Sequence, residues 1–172
     1  MENTINTLIQ GVSDPGSRNA LRKILTSIAD RLSSTMLNSA GLVIKAGASA
    51  LVKTGATACH AVVNGKLVSI AAATDMAALA GTVAADAFNV YVYFVDAAGT
   101  LTSAMGTAGA TLYDVKFPPI PEKKAVIGFT IINPTGTGDF VGGTTAIDDA
   151  TVVPTAVHVS VLGHFDPTIL LG

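Results

Sequence analysis

The stretch 57-TACHAVVNGKLVSIAA-72 decides the fold class. On either side of Asn64-Gly65, small or β-branched residues alternate with polar ones, which is the period of a strand half-buried in a sheet. Asn-Gly is the dipeptide that a two-residue type I′ turn favours, because both turn residues need positive φ. The segment therefore predicts an antiparallel hairpin. In such a strand Cys59 and His60, being adjacent, point to opposite faces and do not form a thiolate–imidazole pair.

The same period recurs outward from this hairpin. Candidate strands are 42-LVIKA-46, 57-TACHAVV-63, 66-KLVSIAA-72, 87-AFNVYVYFV-95, 100-TLTSAM-105, 111-TLYDVKF-117, 125-AVIGFTII-132, 139-DFVGGTTAI-147 and 155-TAVHVSVL-162. Asp96-Ala97-Ala98-Gly99 reads as a second hairpin turn, with Gly99 left-handed. Pro118, Pro119 and Pro121 make a stiff extended crossover that a central strand would not tolerate. The stretch 74-TDMAALAGTVAA-85 reads as one helical turn and a loop. Short strands, frequent turns and no long helical pattern between them indicate an antiparallel β-sandwich or barrel-like body over 41–172.

Ahead of that body, residues 17–40 carry a helical period. Leu21, Ile24, Leu25, Ile28, Leu32 and Met36 recur at helical spacing opposite Arg18, Arg22, Lys23, Asp30 and Arg31, with Ser17 as the N-cap and Asn38 to Gly41 as the stop. Leu21, Leu25, Ile28 and Leu32 step by four, three and four, the spacing of a short coiled-coil seam. Two readings stay open: an oligomer interface through these four residues, or an amphipathic helix lying on its own domain. Residues 1–16 read as an extended arm closed by the turn signal Asp14-Pro15-Gly16. Ile5, Leu8 and Ile9 are its apolar anchors, suited to adding a strand to a neighbour's sheet edge.

Composition narrows the function. The chain has 172 residues, enough for one core, and is 49% hydrophobic but only 13% charged, with 5% aromatics and no Trp. So little charge on an Ala- and Val-rich chain points to apolar surface hidden between chains rather than to an aromatic ligand pocket. A net charge of −2 without a basic stripe argues against nucleic acid as partner. No run approaches the ~18 apolar residues of a membrane span, and the first residues lack the basic and apolar regions of a secretory signal, so a chain made in the cytoplasm is expected. One cysteine allows no internal disulfide.

Motifs for chemistry fail on inspection. Gly136, Gly138 and Gly142 are out of register for a dinucleotide fingerprint and lead into Val152-Val153-Pro154 rather than a helix. Asp139 and Asp148-Asp149 lack the oxygen spacing of a Ca²⁺ loop. His158, His164 and Asp166 do not have a known metal-ligand spacing. No catalytic residue, cofactor or metal is expected, and the Gly/Thr run at 135–146 reads as turn chemistry on an exposed rim.

The blocks 88-FNVYVYFVDAAGTLTSAMGTAGATL-112 and 117-FPPIPEKKAVIGFTIINPTGTGDFVGGTTAIDDATVVP-154 resemble structural proteins of tailed bacteriophages, of the head decoration or cement type. The resemblance covers roughly the C-terminal half, and its most specific run is 132-INPTGTG-138 with 142-GGTT-145. It implies a non-enzymatic virion component on the head exterior, made in the bacterial host, that forms a homotrimer and bridges subunits of the major capsid protein. The rival expectation is a phage fibre or tail module binding a host receptor or glycan through loops near 96–109 and 135–146. Those loops offer one aromatic, Phe140.

Overall fold

The computed structural model describes residue 10 and residues 14–135, 137–153 and 155–167. The proposed arm anchors Ile5, Leu8 and Ile9 lie outside the described residues. Helix α1 runs Pro15–Leu32. Eleven strands follow among the described residues: β1 Thr35–Met36, β2 Val43–Ile44, β3 Val52–Lys53, β4 Cys59–Val63, β5 Lys66–Ile70, β6 Thr82–Val83, β7 Asn89–Asp96, β8 Leu101–Met105, β9 Lys124–Ile132, β10 Phe140–Val141 and β11 Val157–Ser160. All strand pairings are antiparallel, giving a four-stranded sheet β11-β9-β7-β8, a three-stranded sheet β1-β4-β5, and the pairs β10-β6 and β2-β3. The body is mainly β and sandwich-like, without a closed barrel.

The hairpin that opened the reading is present: β4 and β5 pair in register from Cys59↔Ile70 to Val63↔Lys66, with Asn64 at φ 50° and Gly65 at φ 78°. The second hairpin joins β7 to β8 through Gly99 at φ 84°. Asp96 fixes this turn, its Oδ1 accepting from the Ala98 and Thr100 N–H groups at 2.8 and 2.9 Å. Those bonds, that from Thr100 foremost, hold the exposed Asp96 carboxyl below the usual carboxylate range.

Strand β7 is buried from Asn89 to Val95, so it is covered on both faces. On one side Tyr91, Tyr93 and Val95 meet Met36, Cys59, Ala61, Val63, Val68 and Ile70 across the sandwich. On the other, Val90, Val92 and Phe94 pack under Ile120, Val126 and Val161, and at the margin Phe129 stacks on Phe165 while Phe117 meets both edge-on. A bulge at Tyr93/Phe94 sets Ile127 and Gly128 against Tyr93, and it keeps the alternation of β9 in step with both cores.

Four sequence expectations are corrected. The helix begins at Pro15, with Asp14 rather than Ser17 as N-cap: Asp14 Oδ2 accepts from the Ser17 N–H at 2.6 Å, and proline at the first helical position lacks only a donor that would be unpaired anyway. It ends at Leu32, not near 40, because Thr35 and Met36 are captured as an edge strand by Val62 and Ala61, which buries Met36 in the core. Residues 111–117 are not a strand: Leu112–Asp114 is a 3₁₀ turn closed by a 2.7 Å hydrogen bond from Thr111 Oγ1 to Asp114 Oδ2. The stretch 74–85 contains no helix and instead supplies β6, the partner of β10.

Candidate functional site

Helix α1 carries the best candidate for an interaction surface. It is a good helix locally, with a carboxylate cap, Pro15 in the first turn, and Ser33 closing the end by donating its N–H to Ala29 O at 3.0 Å. Hydrogen bonds from the Ser17 backbone hold the Asp14 carboxyl below its ordinary range, so the cap stays charged. Yet none of the helix residues is buried. Ile24 is 56% exposed, Leu32 59% and Ile28 37%, while Leu21 and Leu25 are half-buried.

Two polar contacts fasten its last turn to the body. The Arg31 guanidinium pairs with the Asp166 carboxylate, and Asp30 Oδ2 accepts from the Lys123 N–H at 2.7 Å. At 100° per residue, Asp30 lies roughly 175° around the helix from the centre of the stripe formed by Leu21, Ile24, Leu25, Ile28 and Leu32, and Arg31 roughly 75° from it, on the Ile24 side. Asp30 and Arg31 thus tether the end of the helix, while of the apolar stripe Leu21 and Leu25 are half-buried and Ile24, Ile28 and Leu32 are exposed. All four predicted interface residues, Leu21, Leu25, Ile28 and Leu32, belong to this one stripe.

Cys59, Tyr93, His158 and Asp166 are engaged within the fold. Cys59 is buried while His60 lies on the opposite, outer side of β4, and burial pushes the Cys59 thiol up. His158 does not join His164: its Nδ1 lies 2.9 Å from Thr130 Oγ1, which lies 3.1 Å from the Tyr93 hydroxyl. Burial lowers the His158 pKa and raises that of Tyr93, so both are held neutral. Asp166 is taken by Arg31. Among the described residues no three His, Cys, Asp or Glu side chains gather as metal ligands. Every buried side-chain nitrogen or oxygen there has a hydrogen-bond partner.

The rim loops differ from expectation in one respect. Phe140, the aromatic offered by the loops, is fully buried and packs edge-on to Tyr91 with ring centroids 6.0 Å apart. The exposed aromatic is Tyr113 at 98%, in the 3₁₀ turn read as a strand. Alternation along 111–117 hid it, because a two-period reading cannot see the side-chain hydrogen bond that folds the turn. Around 140–145 the chain does turn at the surface: Thr145 Oγ1 accepts from the Val141 N–H at 3.0 Å and Gly143 sits at φ 75°.

No family model, curated protein or solved structure matches the chain. No helix among the described residues is long and apolar enough to cross a membrane.

Proposed function

We propose that this chain is a non-enzymatic bacteriophage capsid decoration protein that self-associates through α1, as a homotrimer, and stabilises the assembled head shell by bridging major capsid subunits. The observation that carries the self-association is the helix whose last turn is tethered by polar residues while Ile24, Ile28 and Leu32 of its apolar stripe stay exposed. An 18-residue helix that contributes no buried residue to its own core does little for the stability of a lone chain. Covered by its copies, the same stripe drives assembly. The shell-binding step rests on the resemblance of the C-terminal half to decoration proteins. A protein that binds only the assembled shell stabilises that state by mass action, and it needs no catalytic group to do so.

The test is light scattering on the purified protein, followed by co-sedimentation with head shells that lack it. The expected result is a trimer that pellets with shells and raises their disruption temperature. A protein that stays in the supernatant at saturating concentration overturns the decoration role. Deleting residues 1–13, which leaves the Asp14 cap and α1 whole, is expected to lower shell occupancy without changing the number of chains per oligomer.

A second reading, a fibre or tail module that binds a host receptor or glycan, draws support from Tyr113, an aromatic ring exposed on a hydrogen-bonded turn. Retention on a glycan array, lost in Tyr113→Ala, is its test.

A further inference from the structure

The three-stranded sheet β1-β4-β5 has one face in the main core and one outside, and the outer face is rich in aliphatic side chains. Its inner face is Met36, Ala61, Val68 and their neighbours, all buried. Directly paired residues share a face and successive ones alternate. Thr35, Val62 and Leu67 therefore form one row across the outer face, and Leu37, whose N–H donates to His60 O at 2.9 Å, forms the next row with His60 and Ser69. The bridge between Met36 and Gly163 extends the register one segment further and sets Leu162 opposite Leu37. Leu37 is 52% exposed, Leu67 63% and Leu162 66%. Solvent-facing sides of antiparallel sheets are ordinarily polar; leucines interspersed with Thr, Ser and His make the mixed surface of a protein interface.

This face lies at the foot of α1. Leu32, the last residue of the stripe, precedes Thr35 by one turn of chain, and the Asn64-Gly65 hairpin turn is bonded to the helix exit: Ser34 Oγ accepts from the Asn64 N–H at 3.3 Å and Ser33 O from the Gly65 N–H at 3.5 Å.

We infer that this outer face is the body-to-body half of a homotypic interface whose other half is the α1 stripe, and that its occupant is a second copy of the chain in a parallel, cyclic assembly. The inference rests on the self-association reading above. Three considerations carry it. First, the stripe has a self-complementary register, with Leu25 and Leu32 at a and Leu21 and Ile28 at d. Leu at a with Ile at d favours more than two strands, and Ile24 at g and Ala29 at e widen the apolar face in the same sense.

Second, the stripe alone is too small. A helix of 18 residues is about 27 Å long, some two and a half heptads. Its five aliphatic side chains, two of them already half-buried, fall short of the ~800 Å² per partner of a stable interface. A contiguous apolar surface must supply the rest, and the outer sheet face at the helix foot is contiguous. Third, orientation follows. In a parallel cyclic bundle the feet of all helices lie at one end, so neighbouring sheet faces come together; an antiparallel pairing would separate them by about the length of the helix.

The experiment compares wild type, Leu37→Glu/Leu67→Glu and Ile28→Asp by sedimentation equilibrium over a concentration series, with circular dichroism and melting of each as a check on folding. Both leucines are exposed, so the double variant should keep the fold while its dissociation constant rises by about tenfold or more. Leu21→Cys, at one end of the stripe, should form a self-cross-link on oxidation, since only a parallel bundle brings that position onto itself. A wild type that is monomeric throughout overturns the self-association reading and this inference with it. An oligomeric wild type whose double variant associates equally tightly, or loses only shell binding, overturns this inference alone and leaves the helix seam standing. Absence of the Leu21→Cys cross-link in an oligomer overturns the parallel arrangement.

Discussion

The Arg31 guanidinium meets the Asp166 carboxylate across 135 positions of sequence, tying the last turn of α1 to the segment that follows β11. With the bond from the Lys123 N–H to Asp30, it sets which way the helix leaves the body. Arg31→Ala is expected to cost roughly 1 kcal/mol or somewhat more, since both side chains of the pair are largely covered, lowering Tm by about 2–4 °C or more. Trypsin should then cut sooner at Arg18, Arg22 and Lys23, while near-ultraviolet circular dichroism of the body stays unchanged.

The chain Tyr93–Thr130–His158 predicts a pH dependence of stability. Burial depresses the His158 pKa below its ordinary value of 6.5, so as pH falls through that value the unfolded chain takes up a proton before the native one. Stability is therefore full above about pH 7, declines as pH drops below about 6.5, and levels off below the native pKa of His158. His158→Gln should flatten the dependence between about pH 5 and 7 in urea titrations. Thr130→Val, which strands the buried Tyr93 hydroxyl, should cost about 1–3 kcal/mol at any pH.

Phe140 and Tyr113 should respond oppositely to truncation. Phe140 is fully buried against Tyr91, and Phe140→Ala is expected to cost about 3–5 kcal/mol. Tyr113 is 98% exposed, and Tyr113→Ala should change stability by less than about 0.5 kcal/mol. Denaturant midpoints of the two variants check both statements.

Gly128 is required by its neighbours rather than by its φ. A Cβ there would run into the Val159 carbonyl oxygen of β11 and the Leu42 side chain. Backbone cannot swing aside as a side chain can, so Gly128→Ala is expected to cost about 1–3 kcal/mol and to loosen the β9–β11 ladder. Faster amide exchange at Val157 to Ser160 than at the β7–β8 ladder would register it.

The hairpins at 57–72 and 87–105 were legible because their information is local: alternation fixes the faces, and Asn64, Gly65 and Gly99 fix the turns. The two-residue strands β1, β3 and β6 were not, since a ladder that short is specified by its partner and not by its own pattern. Asp14-Pro15-Gly16 carries a turn signal yet opens α1, because the signals that open a helix and close a loop overlap. Met36 looked like a helix-face residue because a helical period and the inner side of an edge strand both ask for one large apolar side chain.

The same division holds for the candidate site. From the sequence alone came an antiparallel β body, one amphipathic helix and the four-three-four spacing of Leu21, Leu25, Ile28 and Leu32 on it, all consequences of side-chain periods that operate within a few residues. Tertiary structure alone decided that Asp30 and Arg31 tether the helix end through partners 93 and 135 positions away, and that Leu21 and Leu25 are half-buried while Ile28 and Leu32 stay exposed. It also gathered Leu37, Leu67 and Leu162 on one outer face, since sheet register aligns residues that no local pattern relates.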